Sequence, residues 1–113
     1  MAILMIGEAE GLTGEIYLGM FGMLEQALKD APGFIMHAGH AMEGGNFRVL
    51  EIWRSKEESD RFFAQQVAPK LPPQVRPKRR SVQLTALSFG DFALETYAAA
   101  NVITRRVSAV SAV

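Results

Sequence analysis

The sequence predicts one α+β domain with a four-stranded antiparallel sheet and the element order β-α-β-β-α-β, which is the ferredoxin-like arrangement. The chain has 113 residues, enough for one domain with one hydrophobic core. Short apolar runs typical of strands alternate with stretches whose apolar residues recur at helical spacing. Two of these runs flank the pair Gly44-Gly45, as in a β-hairpin. We expect this domain to occupy residues 1–90 and a C-terminal extension to occupy residues 91–113.

The first strand and the first helix are predicted from the N-terminal third of the chain. Residues 2–9 form a short apolar run that indicates a largely buried strand. Residues 13–30 then carry apolar side chains at helical spacing. Thr13 is a suitable N-cap, and Glu15 in the first turn complements the helix dipole. The sequence Ala-Pro-Gly at residues 31–33 ends the helix.

A β-hairpin is predicted next, with strands at residues 34–42 and 47–54 and a turn at residues 43–46. Taking Gly44 and Gly45 as the two central turn residues fixes which side chains share a face. One face then pairs His40 with Val49, Ala38 with Glu51, and Met36 with Trp53. The opposite face carries Ile35, His37, Leu50 and Ile52. Both faces are substantially apolar, so we expect the face without helices to be covered by a second copy of the chain in a homodimer.

The second helix and the fourth strand are predicted from the remaining residues. Ser55 to Glu58 (SKEE) form a capping box, in which the Ser55 hydroxyl accepts from the Glu58 amide and the Glu58 carboxylate returns to the cap amide. The helix is expected to run to about residue 68. Residues 71–80 are interpreted as a Pro-rich basic connector and residues 81–89 as the fourth strand. In the extension, residues 91–100 favour a short helix and the rest a tail.

Composition excludes several kinds of site. The chain has no cysteine and no HExxH pattern, so we expect no metal site. Twelve Lys and Arg balance twelve Asp and Glu, and the basic run at residues 76–80 has no interleaved aromatic residues, so no nucleic-acid partner is expected. No stretch approaches the roughly 18 apolar residues of a membrane span, and the N-terminal apolar run lacks a preceding basic region. We therefore expect no membrane association and a cytoplasmic location.

Three short stretches resemble a known superfamily. They are PGFI at residues 32–35 with His37, the Gly44-Gly45 turn followed by Phe47-Arg48-Val49, and WRSKE at residues 53–57 leading into the second helix. With them, residues 2–89 resemble the dimeric α+β barrel proteins related to antibiotic-biosynthesis monooxygenases. The resemblance implies a dimer in which two sheets form a barrel, with a pocket between sheet and helices in each subunit.

The activities that this resemblance implies are cofactor-free oxygenation of aromatic polyketides, haem degradation and cyclisation. The haem-degrading branch has an Asn on the first strand and a Trp and a His on the second helix. This sequence has no Asn on its first strand and neither Trp nor His at residues 56–69. The other branches are therefore favoured, and no cofactor is expected.

His37 is the first candidate for chemistry. The resemblance places it towards the helices, where it could bind or deprotonate a phenolic or 1,3-dicarbonyl substrate. The alternative is a core histidine hydrogen-bonded to a backbone carbonyl or to Tyr17. Tyr17 could donate a hydrogen bond to a substrate oxygen, or lie at the edge of the core. His40 and Glu51 form a second candidate, an imidazole oriented by a carboxylate, for which the alternatives are an interface ion pair and a solvated hairpin end.

The remaining candidates would line a pocket. Trp53 could wall an aromatic site, or serve as a core or interface anchor. Met20, Met36 and Phe63 would give a soft apolar lining that suits a hydrophobic ligand and equally suits an ordinary core. Together these expectations describe a homodimer that acts on a small hydrophobic, aromatic metabolite by cofactor-free oxygenation or cyclisation. The alternative is a non-catalytic ligand-binding or assembly dimer.

Overall fold

The structure, a computed structural model of the chain, describes residues 1–91. Its strands and helices are β1 (Ile3–Glu10), α1 (Gly14–Asp30), β2 (Phe34–Ala41), β3 (Phe47–Trp53), α2 (Lys56–Phe62) and β4 (Arg76–Gln83). The strands form one antiparallel sheet in the order β2-β3-β1-β4. The predicted α+β, ferredoxin-like fold is therefore confirmed. The helix and tail expected within the extension fall on residues 92–113, outside the described part of the chain.

Both helices begin where the sequence predicts. The Thr13 hydroxyl accepts from the Ile16 amide at 3.2 Å, which caps α1. The Ser55 hydroxyl accepts from the Glu58 amide at 3.2 Å, which caps α2. The Glu58 carboxylate accepts from the Ser55 hydroxyl and the Arg54 guanidinium, in place of the cap amide expected of it. After Phe62 the helix continues as a π-helical turn, Phe63–Val67, and a 3₁₀ turn, Ala68–Lys70. Within residues 1–91 no helix is both long and apolar enough to cross a membrane.

The hairpin register differs by one residue from the predicted one. The Met42 amide donates to the Asn46 carbonyl at 2.8 Å, and Gly44 and Gly45 both have φ of +90°. The loop therefore has three residues in place of two, and His37 pairs with Glu51. A shift of one residue turns every side chain of a strand to the other face. The predicted neighbours of Glu51 and Trp53 were consequently wrong. The opposed pairs are Phe34 with Trp53, Met36 with Ile52, Ala38 with Leu50, Gly39 with Val49, and His40 with Arg48.

The fourth strand was also predicted wrongly. The connector assigned to residues 71–80 ends at residue 75, and residues 84–90 form no strand. β4 is the basic segment Arg76–Gln83, which pairs with β1 from Glu10↔Arg76 to Ile3↔Gln83. This strand lies at the edge of the sheet, where charged side chains are common because they discourage pairing with other chains. Backbone pairing with β1 thus outweighs the higher strand propensity of the residues that follow.

The two faces of the sheet have different surroundings. Both helices lie over the face that carries Met5, Glu51 and Trp53, called the inner face here. A buried apolar cluster at one end of this face consists of Ile3, Met5, Leu28, Trp53 and Phe62. A second cluster at the other end consists of Ala9, Leu12 and Val75. The outer face carries apolar side chains with no described helix over them, namely Leu4, Ile6, Met36, Leu50, Ile52 and Val82.

Candidate active site

A cavity of about 130 Å³ lies between the inner face and the helices. Its walls are mainly apolar: Met20, Phe21 and Leu24 come from α1, and Phe62 and Phe63 from α2 and the turn that follows it. This volume is close to that of an apolar protein cavity of about 150 Å³ that holds benzene. The cavity is therefore suited to a ligand of about one aromatic ring.

The cavity exists because one row of the sheet has little side-chain volume. Side chains at paired positions of neighbouring strands face the same side. Across the inner face, Gly39, Val49, Gly7 and Arg79 form one such row. Two glycines and a valine leave the floor of this row with little side-chain volume, and we call it the bare row. The two buried clusters lie on either side of it.

A continuous chain of hydrogen bonds reaches this cavity. The Trp53 indole N–H donates to Glu51 Oε1 at 2.9 Å. The other carboxylate oxygen, Oε2, lies 2.6 Å from His37 Nδ1. His37 Nε2 lies 2.6 Å from the Tyr17 hydroxyl. Glu51 and Trp53 are buried, and the His37 side chain is 12% exposed, so the chain is shielded from water along most of its length.

The partners in this chain fix the positions of the protons. A carboxylate only accepts, so His37 donates its Nδ1–H to Glu51. When the ring carries only this proton, Nε2 accepts from the Tyr17 hydroxyl. Burial raises the pKa of Tyr17 well above its usual 10.0, and the negative charge of Glu51 raises it further. Tyr17 is thus a neutral phenol within hydrogen-bond distance of His37, whose imidazole is oriented by a buried carboxylate.

A glycine of the bare row lets Tyr17 reach His37. A Cβ atom placed on Gly39 would lie 2.6 Å from the Tyr17 hydroxyl oxygen and 2.6 Å from its Cζ atom. The Tyr17 ring also stacks on Phe47, with ring centroids 4.4 Å apart. The absence of a side chain at residue 39 is therefore a condition for the hydrogen bond between Tyr17 and His37.

The structure separates the predicted site residues into two groups. His37, Tyr17, Glu51, Met20 and Phe63 all line the cavity. Trp53 is fully buried in the core, where it holds Glu51 in place and does not line the cavity. Met36 and His40 point to the outer face, so the predicted pairing of His40 with Glu51 was wrong, because the extra loop residue turns β2 over.

Two residues of the site were missed by sequence reasoning. Arg79 lines the cavity, although its segment was interpreted as a solvated connector. The two-residue period of a strand could have found it. Once residues 76–83 are taken as a strand, every second residue faces inwards, and Arg79 is one of them. Gly39 had no such signal, because its role depends on a tyrosine 22 positions away in the sequence.

Comparisons with known proteins identify the fold. No protein-family profile matches the chain, and no curated protein matches it significantly. The solved structure of SnoaB, a cofactor-independent oxygenase from Streptomyces nogalater, aligns with a TM-score of 0.61 and 12% identity, covering 76% of this chain and 95% of that one. The haem-degrader MhuD from Mycobacterium tuberculosis aligns with a TM-score of 0.56 and 17% identity, covering 78% and 99%.

A third similar structure is a protein of unknown function from Nitrosomonas europaea, with a TM-score of 0.56 and 13% identity, covering 79% of this chain and 93% of that one. At these identities the likeness establishes the fold. The predicted resemblance to antibiotic-biosynthesis-monooxygenase-like α+β barrel proteins is therefore confirmed at that level.

The described residues do not fit a haem. Both ring nitrogens of His37 are occupied by Tyr17 and Glu51. Residues 56–70 contain no His, Cys, Tyr or Met that could bind iron from the second helix. The cavity of about 130 Å³ is also far smaller than a porphyrin. Residues 1–91 contain no cluster of three His, Asp or Glu side chains that could hold a metal ion.

Proposed function

We propose that the protein is an enzyme that removes a proton from a small hydrophobic, aromatic metabolite without a cofactor, with His37 as the base. The observation that carries this proposal is the Tyr17–His37–Glu51 chain of hydrogen bonds at the wall of an apolar cavity. A base at the wall of an apolar cavity is suited to form a reactive anion that bulk water would otherwise protonate.

The proton leaves the substrate through Tyr17. A phenolic or 1,3-dicarbonyl group binds with its acidic proton against the Tyr17 oxygen. Tyr17 passes its own proton to His37 Nε2 and takes up the substrate proton, so it remains a neutral phenol. His37 becomes an imidazolium beside the Glu51 carboxylate, whose charge stabilises it. The substrate is left as an anion delocalised between oxygen and carbon.

Oxygenation then needs only dioxygen. The carbanion gives one electron to O₂, and the resulting radical pair forms a carbon–oxygen bond. The peroxide takes the proton from His37, and loss of water leaves a carbonyl. One CH₂ carbon and one O₂ become one C=O and one water, so no other reductant is required. The same anion could close a ring by attacking a carbonyl of its own chain, which gives the cyclase version of this proposal.

A non-catalytic ligand-binding dimer is the second candidate. It is favoured by one observation: both nitrogens of His37 are hydrogen-bonded within the protein itself. In that case the hydrogen bonds that link Tyr17, His37 and Glu51 would serve to hold β2 and β3 against α1. Ligand would bind the cavity with no turnover.

We further propose that two copies associate through their outer faces. This is supported by the apolar side chains there, which include Leu4, Ile6, Leu50 and Ile52. Light scattering of the full chain should give twice 12.4 kDa. Leu50→Glu would place a charge in the middle of that face and should give a monomer, whereas Arg76→Glu at the edge of the sheet should leave the dimer intact. A wild-type monomer would contradict the association.

The activity is tested by oxygen consumption with a panel of phenols, hydroquinones and 1,3-dicarbonyl compounds, using chelator-treated protein. His37→Gln removes the base and should lower the rate by roughly 10²- to 10⁴-fold. Tyr17→Phe should lower it as well. His40→Gln is the matched control, because His40 is exposed on the outer face and should leave the rate unchanged. Turnover that survives His37→Gln would remove the assignment of the base. Saturable binding with no turnover would favour the second candidate.

A further inference from the structure

Arg79 occupies the end of the cavity opposite His37. The two ends are separated along the bare row from β2 to β4, which is three strand spacings or roughly 14 Å between backbones. Gly39 and Val49 lie at the His37 end of the row, and Gly7 lies beside Arg79. The cavity therefore has two polar ends joined by an apolar middle.

The Arg79 side chain is held in place by α2. Its Nη1 donates to Asp60 at 3.0 Å and its Nη2 donates to the buried Ser59 hydroxyl at 2.9 Å. Its guanidinium carbon lies 4.3 Å from the centre of the Phe63 ring. The side chain is only 19% exposed, so a cationic group is fixed at the cavity wall.

The Nε atom of this guanidinium has no acceptor among the described residues. The Nε–H of Arg79 is buried and makes no hydrogen bond within residues 1–91. Buried N–H groups in folded proteins nearly always have an acceptor, and an exception calls for an explanation. The guanidinium of Arg79 therefore has hydrogen-bonding capacity that its partners within residues 1–91 do not use.

The charge around Arg79 favours an anion. Within residues 1–91 Asp60 is its one carboxylate partner, and that carboxylate also accepts from Lys56 Nζ at 2.6 Å. Two cations thus share one carboxylate beside this end of the cavity. At the other end Glu51 is committed to His37 and Trp53.

We propose that Arg79 forms an anion-binding subsite, and that the ligand is a single-ring phenol carrying a carboxylate at the end away from its hydroxyl group. The phenol meets Tyr17 and His37, the ring fills the apolar middle, and the carboxylate accepts from Arg79. A charged hydrogen-bonding partner is suited to select such ligands. This inference rests on the proposed function for the phenol end, while the Arg79 end is independent of turnover.

The test is binding of 4-hydroxyphenylacetate and its methyl ester, measured calorimetrically with the full chain. The wild-type protein should bind the acid roughly ten- to a hundredfold more tightly than the ester, the usual range for a hydrogen bond to a charged group. Arg79→Gln should bring this ratio close to one while changing ester affinity less than twofold. Arg76→Gln removes the same charge from an exposed position of the same strand and should keep the wild-type ratio.

A second measurement needs no variant. The Arg79 Nε–H resonance of the ¹⁵N-labelled wild-type protein should move downfield on addition of the acid and stay in place with the ester.

Equal affinities in the wild-type protein, a ratio that survives Arg79→Gln, or no binding of either ligand would overturn the subsite. Selective binding of the acid with no oxygen uptake would leave the subsite standing and overturn the oxygenase. Oxygen uptake without selectivity for the acid would support the oxygenase and overturn the subsite.

Discussion

Two rows of the inner face use the same strands for opposite purposes. In the row at Phe34, Trp53 and Ile3, large side chains pack against α1 and α2, and Trp53 is 0% exposed. Four residues further along β1 and β3, the row at Gly39, Val49 and Gly7 has almost no bulk, and a cavity takes its place. Side-chain size alone therefore decides which part of the sheet is core and which part can hold a ligand.

Glu51 lies in the row between these two. One of its oxygens accepts from Trp53 in the packed core, and the other accepts from His37 at the cavity. The packed row thereby orients His37, which pairs with Glu51 in the middle row and borders the cavity. A reactive group that borders an empty space needs such support, because nothing in the space itself holds it.

Breaking the link between Glu51 and His37 should lower the rate of oxygen uptake more than any other change. Glu51→Gln preserves the shape of the side chain, but an amide can donate to His37 Nδ1 and favour the tautomer that carries its proton on Nε2. The wrong tautomer of an analogous catalytic histidine lowers the rate roughly 10⁴-fold, and we expect a loss of that order in oxygen uptake. Glu15→Gln, an exposed change of the same kind, should have no effect. Full activity of Glu51→Gln would mean that Glu51 does not orient the base.

The two rows should also differ in their contribution to stability. Ile3→Ala removes a side chain from the packed row and should lower the free energy of unfolding by about 2–5 kcal/mol. Val49→Ala at the floor of the cavity leaves existing space slightly larger, and should cost less than about 1.5 kcal/mol. Urea titrations of both variants measure the difference. Equal losses in the free energy of unfolding would mean that the bare row is packed as tightly as the core.

Gly39→Ala tests whether the bare row must lack a side chain at position 39. The added Cβ would collide with Tyr17 and push its hydroxyl away from His37, so the rate should fall roughly 10²-fold, as for a misplaced catalytic group. Gly22→Ala is the matched control: no atom lies within 4 Å of the added Cβ. In the middle of α1 it should raise stability by up to about 1 kcal/mol and leave the rate unchanged. Wild-type activity in Gly39→Ala would show that Tyr17 can shift freely.

The smallest effect is expected at the first turn of α2, away from both rows. Ser55→Ala removes the helix cap and should cost about 1 kcal/mol of stability without changing the rate.

Hydrogen bonds from Arg54 and then from Ser55 lower the pKa of Glu58 from 4.5 to about 2. Its contribution to stability is therefore complete above pH 4.5 and lost as the pH falls towards 2. Acid unfolding of Glu58→Gln should lack this part of the pH dependence.

The sequence was sufficient for the element order and for most of the cavity wall. Periodicity and capping residues located β1, α1, β2, β3 and the start of α2, and His37 and Tyr17 both line the cavity. These features depend on neighbours within a few positions of the chain.

The errors arose where distant parts of the chain decide the structure. A glycine pair allows loops of two or three residues, and the hydrogen bonds around Met42 decide between them. β4 is set by its pairing with β1, some 70 positions earlier. Both errors hid a partner of the site: the first concealed the contact between His37 and Glu51, and the second concealed Arg79.

Proton transfer from a bound phenol to His37 can be followed directly with 4-nitrophenol, because its absorbance shows whether it is ionised. The protein is titrated with pH at saturating protein concentration, without oxygen. Bound 4-nitrophenol should ionise at a lower pH than the free phenol in the wild-type protein, and His37→Gln should abolish this shift. Ionisation of the bound phenol at the same or a higher pH than free, or an equal shift in His37→Gln, would contradict proton transfer to His37.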